Sequence, residues 1–538
     1  MIENKVLPSS RQRFFTIFLL FFIVLLFTKI DFRLKTDITC CSDDFDYFIH
    51  AETIVEDFDF DYSNQLEGVE KARHNKVKSA PFGFLGSGLL ASPFLLAGNI
   101  FDSLFGEVSE NHVNFKILFY SFSSYFYFLG SLYFLYKSTI YLGFNITTSK
   151  TALYLSGSGV IYYFFERFSM THVYEVFAAS FIIYVSSVFY STNRDLFAFL
   201  IPFSVFIGFE IKWIHYYFIL LPLLIKLLKK SEIKLYKNIY FTISSLLFSI
   251  THFISTKLIY GVYTVNWSYV YSNTEENEFV VDVLSNGLSS SAFYITNIKN
   301  VFIHFYTQEF GLIYFQPITF VVIFGSMIYL VYSIIKKENI LIAILFFLFS
   351  WQEFAIALIW TSPASAYGFR YLMNLAPLGL IFFCYLVQNY KLKYVDYYLL
   401  IFSCFSVLSV LFYETTEFTQ LSIDATLNSF GDYSKYTQRY YLTGLFKSFL
   451  ALDSYLKIFT TSFFGMYILK ILVYFLAPEG LNSMLESFGL PISNEKFQIL
   501  ILQLNEITTS FFLVSLLLCA VFVFYTVRFL NIQDTIKD

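Results

Sequence analysis

Charge is scarce in this chain: Asp, Glu, Lys and Arg make up 14% of its 538 residues, while 57% are hydrophobic and mean hydropathy is +0.60. Soluble globular domains carry about 25% charged residues, so this composition describes a polytopic membrane protein. Cysteine is also sparse, at five residues. Cys384, Cys404 and Cys519 lie in apolar runs, where a thiol behaves as a small hydrophobe. Cys40 and Cys41 are adjacent, with no CxxC or Cys/His spacing around them, so neither a disulfide framework nor a structural metal is indicated. There is no GxxxxGK[ST], no dinucleotide-type GxGxxG and no HExxH, which leaves nucleotide-driven transport and zincin proteolysis without support. GFLGSG, Gly83 to Gly88, lies in apolar surroundings with no strand before it and is set aside as a phosphate loop. The net charge of -4 says little, and no nucleic-acid partner is expected. Phe and Tyr, at 71 and 43, are too numerous for one aromatic stripe to be read as a cofactor site.

What is present first is a threading. The apolar run Phe14 to Thr28 follows Lys5, Arg11 and Arg13 and lacks a small-residue cleavage site, so it reads as a retained first span with a cytoplasmic N-terminus. Further spans are expected at 114–136, 151–165, 173–190, 196–211, 213–228, 238–256, 312–335, 339–360, 371–388, 395–413, 456–477 and 507–530. Lys137, Lys150, Arg194, the lysines between 226 and 237, Lys336, Lys337, Lys391 and Lys393 then share one side, which the positive-inside rule makes cytoplasmic. Ala80 to Phe105 is apolar but broken by Pro81, Gly83, Gly86, Gly88, Pro93 and Gly98. A full crossing there would put the lysines at 226–237 outside, so the segment is expected to form interfacial or re-entrant helices within a large first outer loop, 32–111. A second outer loop falls at 257–311. No sequence repeat is visible.

Within the first loop, SDDFDYFIHA, Ser42 to Ala51, sets Asp43 and Asp44 side by side just past the first span. From Asp37 to Glu70 the chain carries no Lys or Arg, while Asp43, Asp44, Asp46, Glu52, Glu56, Asp57, Asp59, Asp61 and Glu67 lie between, a run that reads as water-facing. If Asp43 begins a helix, Tyr47 and His50 recur at roughly helical spacing, so an acid, a phenol and an imidazole could project together. A solvated acidic loop is the plain alternative.

The threading also sorts the other polar residues near the membrane boundary. Glu166, Arg167, His172 and Glu175, then Glu210, Lys212 and His215, then Glu309 and Arg370 all fall on the outer side. Ionisable groups at membrane depth are costly and usually face a protein cavity. Singly, His172 and His215 could be interfacial histidines and Lys212 a snorkelling lysine. Together they suggest carboxylates on one side of a cavity and cations on the other, suited to a substrate with a phosphate beside a hydroxyl to be deprotonated. Arg370, permanently charged and planar, is the best phosphate candidate.

These residues lie in segments that resemble the polytopic GT-C glycosyltransferases, the lipid-linked-sugar enzymes that include protein mannosyltransferases and aminoarabinose transferases. SDDFDYFIHAETIV is similar to that family's first-loop acidic motif, and APFGFLGSGLLASPF to the Pro/Gly-rich helix that follows it in bacterial members. FSMTHVYEVFAASFIIY from Phe168, EFGLIYFQP from Glu309 to Pro317 and SAYGFRYLMNLAP from Ser365 to Pro377 continue the resemblance in order, over roughly residues 14–390. It implies a polyprenyl-phosphate sugar donor entering from the bilayer, an exoplasmic glycan, lipid or protein acceptor, and an acid of the first loop, Asp43 or Asp44, as general base. Lys212 stands where bacterial relatives commonly have Arg, so a bidentate phosphate fork is absent there.

The expectation is an all-α integral membrane protein of the bacterial cytoplasmic (inner) membrane: a GT-C-type bundle of about 11–13 transmembrane helices. Residues 1–413 would form the catalytic domain and 414–538 an outer segment with further spans. Asp43 and Asp44 are the expected catalytic pair; Tyr47, His50, His172, Lys212 and Arg370 are the expected substrate-binding residues. The acids leave room for a divalent cation, Mg or Mn, and none is assigned. The rivals are a transporter or flippase of a lipid-linked envelope precursor, and an envelope polysaccharide polymerase or ligase acting through 414–455.

Overall fold

The computed structural model describes residues 42–67, 78–105 apart from 82, 114–265 apart from 166, 213 and 214, 311–359, 370–412 apart from 391, 463–487 and 508–531, with a few isolated positions between them. The first span, 14–28, the second outer loop and the domain boundary near 414 lie outside the described residues, apart from Leu19 and positions 257–265.

Among the described residues the regular structure is helical: α1 Ser42–Glu52, α2 Leu85–Phe105, α3 Phe115–Leu142, α4 Thr148–Leu155, α5 Ile161–Phe165, α6 His172–Thr192, α7 Asp195–Ile211, α8 Leu221–Lys229 and α9 Ile239–Tyr260. They continue with α10 Pro317–Lys336, α11 Ile340–Ile359, α12 Ala376–Tyr390, α13 Lys393–Phe412, α14 Phe463–Ser487 and α15 Thr509–Leu530. Eight described helices are long and apolar enough to cross a membrane: α2, α6, α9, α10, α12 counted with the turn from Arg370, α13, α14 and α15. Local chemistry starts and stops them. Asn114 accepts the Ile117 amide at 2.8 Å to open α3, and Gly143, at φ 80°, closes it. Asp102, in the last turn of α2, accepts the amides of both Phe115 and Lys116 at 2.8 Å, tying α2 to the start of α3.

Two expected spans are not continuous helices. Between α4 and α5 the chain makes a π-helical turn, Ser156–Val160, because Gly159 takes φ 83°. A 3-10 turn, Tyr216–Ile219, precedes α8.

The segment from Ala80 corrects the expectation in one respect. It holds one 21-residue helix rather than several broken ones. Pro93 cannot donate to the Leu89 carbonyl, but the Ser92 hydroxyl does so at 2.8 Å, so the helix runs on. Gly86 lies against the backbone of Glu210 and Ile211 at the end of α7, and Gly98 against Phe115 and Lys116 at the start of α3. α2 therefore joins two helix ends, although its length and composition would allow a crossing.

The acidic run also differs from expectation. Glu56, Asp57, Asp59 and Asp61 are exposed, but Asp44 and Asp46 are 3% and 1% exposed. They are covered because α1 packs down on the α2 segment, where Gly83 meets Asp46 and Tyr47 and Gly88 meets His50 and Ala51. At its far end α1 is tied to α3 by Lys116, whose Nζ lies 2.7 Å from Glu52 and 2.5 Å from Glu56. The C-terminal α15 belongs to the main core through Phe522, Phe529 and Leu530.

Candidate functional site

The site begins at α1. Asp44 is the third residue of that helix and projects toward the turn between α5 and α6, where Arg167 Nη2 pairs with Oδ2 and Ser169 Oγ donates to Oδ1 at 2.8 Å. Arg167 and Asp44 side chains are each 5% exposed, so this is a buried, charge-assisted pair. The side chain of Asp43 lies outside the described residues, as do Glu166 and Glu309.

From Arg167 the charges continue across α6. Tyr163, in the middle of α5, lies within electrostatic range of both Arg167 and Arg370, and its ring meets the His172 ring edge-on at 4.5 Å. His172 opens α6, and one turn on Glu175 is fully buried. Glu175 Oε1 accepts from Thr171 Oγ1 and, at 3.1 Å, from Lys212 Nζ; Oε2 lies 3.1 Å from His215 Nε2. Lys212 is the residue that ends α7, and its Nζ also stands 5.1 Å from the centre of the Tyr371 ring. Arg370 lies 5.0 Å from the centre of that ring and donates from Nη2 to its hydroxyl at 3.0 Å, so two cations share one aromatic face system.

Deeper in, His215 Nδ1 is 3.4 Å from Glu353 Oε1 and 2.9 Å from Asn374 Nδ2. Six of the expected outer residues are thus brought into one connected system: Asp44, Arg167, His172, Glu175, Lys212 and His215, with Arg370 beside them. Glu353, Asn374, Ser169, Tyr163 and Tyr371 join it without having been singled out. For Glu353 a signal existed, since it is the one carboxylate in the apolar stretch ILIAILFFLFSWQEFAIALI.

Tyr47 and His50 pack on the other side of α1, against the start of the α2 segment. His50 is fully buried, with Nδ1 2.7 Å from Tyr62 Oη and Nε2 3.0 Å from the Gly83 carbonyl. Both ring nitrogens are used in holding the first loop together. Burial pushes its pKa down to about 4, against a smaller upward effect of the Gly83 bond, so it is neutral at pH 7. Tyr47 is 8% exposed and packs against Gly83.

Glu210 takes a different partner set. Its Oε1 lies 2.8 Å from His252 Nδ1 and accepts from Ser255 Oγ at 3.1 Å. His252 lines an apolar groove of about 790 Å³ between α7, α8 and α9, walled by Phe206, Phe209, Ile219 and Phe248 and reaching Tyr216, next to His215. Among the described residues no group of three His, Cys, Asp or Glu side chains is arranged to hold a metal ion, and Asp44 and Glu175 are already engaged by cations.

No family model matches this chain, and neither a curated protein nor a solved structure matches it.

Proposed function

We propose that the chain is an integral membrane glycosyltransferase of the GT-C type, moving a sugar from a polyprenyl-phosphate donor to a hydroxyl of an exoplasmic glycan, lipid or protein. The observation that carries this reading is the meeting of the acidic helix α1, through Asp44 and Arg167, with the cations Lys212 and Arg370 around Tyr163 and Tyr371. Transfer from a lipid phosphate needs little more than that: a base for the acceptor, positive charge for the leaving group, and a fixed geometry between them.

In the reaction the acceptor oxygen attacks the anomeric carbon, and the bond from that carbon to the phosphate oxygen breaks. The electron pair leaves with the polyprenyl phosphate, and the acceptor proton passes to a carboxylate. Arg370, Lys212 and His172 are the residues assigned to the leaving phosphate. Asp44 is assigned as the partner and Asp43 as the base, because a carboxylate that already accepts from a guanidinium and a hydroxyl has little remaining affinity for a proton. The groove along α7, α8 and α9 supports entry of the donor from the bilayer, since its walls are apolar and it reaches Phe209 and Tyr216 on either side of Lys212 in the chain.

Membranes containing the protein and polyprenyl-phosphate sugars test the reading. Loss of a general base costs about 10²- to 10⁴-fold, so Asp43→Asn is expected to lower transfer by at least the smaller factor. Transfer retained in both Asp43→Asn and Asp44→Asn would remove the pair from catalysis. Translocation of the lipid without sugar transfer would favour the transporter reading instead.

A further inference from the structure

Glu175, His215 and Glu353 are each 1% exposed or less. The ring of His215 stands between the two carboxylates, Nε2 3.1 Å from Glu175 and Nδ1 3.4 Å from Glu353. The ionisable groups around it are His172 and Glu175 from α6, Lys212 and Tyr217 from its own segment, Glu353 from α11, and Arg370 and Tyr371 from the turn that also brings Asn374. Lys212 pairs with Glu175 and Arg370 stands over Tyr371, so among the described residues no lysine or arginine lies within 4 Å of Glu353, and its carboxylate, away from water, needs a proton of its own or on a neighbour. Three groups could take that proton.

His172 is poorly placed. Its Nδ1 lies 3.3 Å from Glu175 Oε1 without a hydrogen bond, and the charges of Lys212 and Arg370 oppose a further cation there. Glu353 is no better. Its Oε2 is buried with no acceptor, and a proton on Oε1 would compete with Asn374 Nδ2 for the single lone pair of Nδ1. On His215 the same proton allows the ring to donate to both carboxylates. Asn374 can follow this placement by turning its amide over, which sets Oδ1 against the Nδ1 proton and moves Nδ2 to the buried position that Oδ1 leaves.

We propose that His215 is a standing imidazolium held between Glu175 and Glu353, and that it is a positioning residue which leaves Lys212 available to an incoming phosphate. With His215 protonated between Glu175 and Glu353 and Arg370 in the same group, two cations remain for the two carboxylates when the Lys212 ammonium turns to a ligand. The positioning role rests on the glycosyltransferase reading; the protonation does not.

The full chain, labelled with ¹⁵N-histidine and held in lipid nanodiscs, tests both halves. At pH 8 an ordinary imidazole, with a pKa of about 6.5, is almost wholly neutral, so an imidazolium signal among the seven histidines is diagnostic. The expected result is one such signal, absent in His215→Gln. In Glu353→Gln, which keeps the shape and removes one charge, it should titrate at lower pH. No imidazolium at pH 8, or one unchanged in Glu353→Gln, overturns the protonation even if His215→Gln fails to fold. Binding of polyprenyl phosphate at pH 8 tests the second half, with Kd expected to rise about tenfold in Glu353→Gln. An unchanged Kd overturns the positioning role. If the parent chain binds no polyprenyl phosphate, the glycosyltransferase reading and the positioning role fall together, while the imidazolium is decided by the spectrum alone.

Discussion

Arg167 and Asp44 show what burial does to a single pair. With both side chains 5% exposed, removing the guanidinium takes a charge-assisted partner from a buried carboxylate. Arg167→Gln is therefore expected to destabilise the protein by about 3–5 kcal/mol, and the double variant with Asp44→Asn to recover much of the loss. Denaturant titration of the single and double variants in detergent reads this directly; equal losses in both would mean that the pair is not coupled. His50 is a second residue with a signed consequence. It is neutral in the folded protein down to about pH 4, whereas the unfolded chain takes up the proton near 6.5. Between those values the unfolded state binds more protons, so stability falls as pH drops through the window, by on the order of 3 kcal/mol for this group. His50→Gln should flatten the pH dependence of melting between pH 4 and 6.5 relative to the parent, and an unaltered slope would place the proton elsewhere.

At the level of elements, α2 decides where α1 sits. Gly86 approaches the backbone of Glu210 and Ile211 so closely that a Cβ there would overlap main-chain atoms, which cannot swing aside. Gly86→Ala is expected to cost about 1–3 kcal/mol by forcing α2 from α7. Melting temperature is the measure, and a neutral result would show that the contact yields easily. That these glycines pack helices explains why GFLGSG, despite its composition, is no phosphate loop. The single helix could not be read from its sequence, because Pro93 argues for a break and the Ser92 hydroxyl that compensates for it is a detail of side-chain geometry.

Across the whole molecule, one end of each of α3, α6, α7 and α9 meets the first loop. Tyr260, at the end of α9, donates to the Gly83 carbonyl at 3.1 Å, and Lys78 donates to the Leu258 carbonyl at 2.7 Å. The arrangement predicts a topology. In intact cells and a background without the native cysteines, Asp59→Cys should react with a membrane-impermeant maleimide and Lys234→Cys should not. Both positions are exposed, so labelling of Lys234→Cys alone would invert the orientation and remove the site from the exoplasmic side.

The membrane class, most helix positions and the gathering of polar residues at one boundary were determined by the sequence itself. Hydropathy and the placement of Lys and Arg act along the chain, and helix ends fall where the apolar runs do. Which acid meets which base was decided only by tertiary packing. Nothing local distinguishes Asp44 from its neighbours, pairs Glu353 with His215 across 138 residues, or turns His50 inward to Tyr62 and Gly83. Those choices follow from helices pressed together in three dimensions, where a buried charge or ring nitrogen persists only beside a group that compensates it.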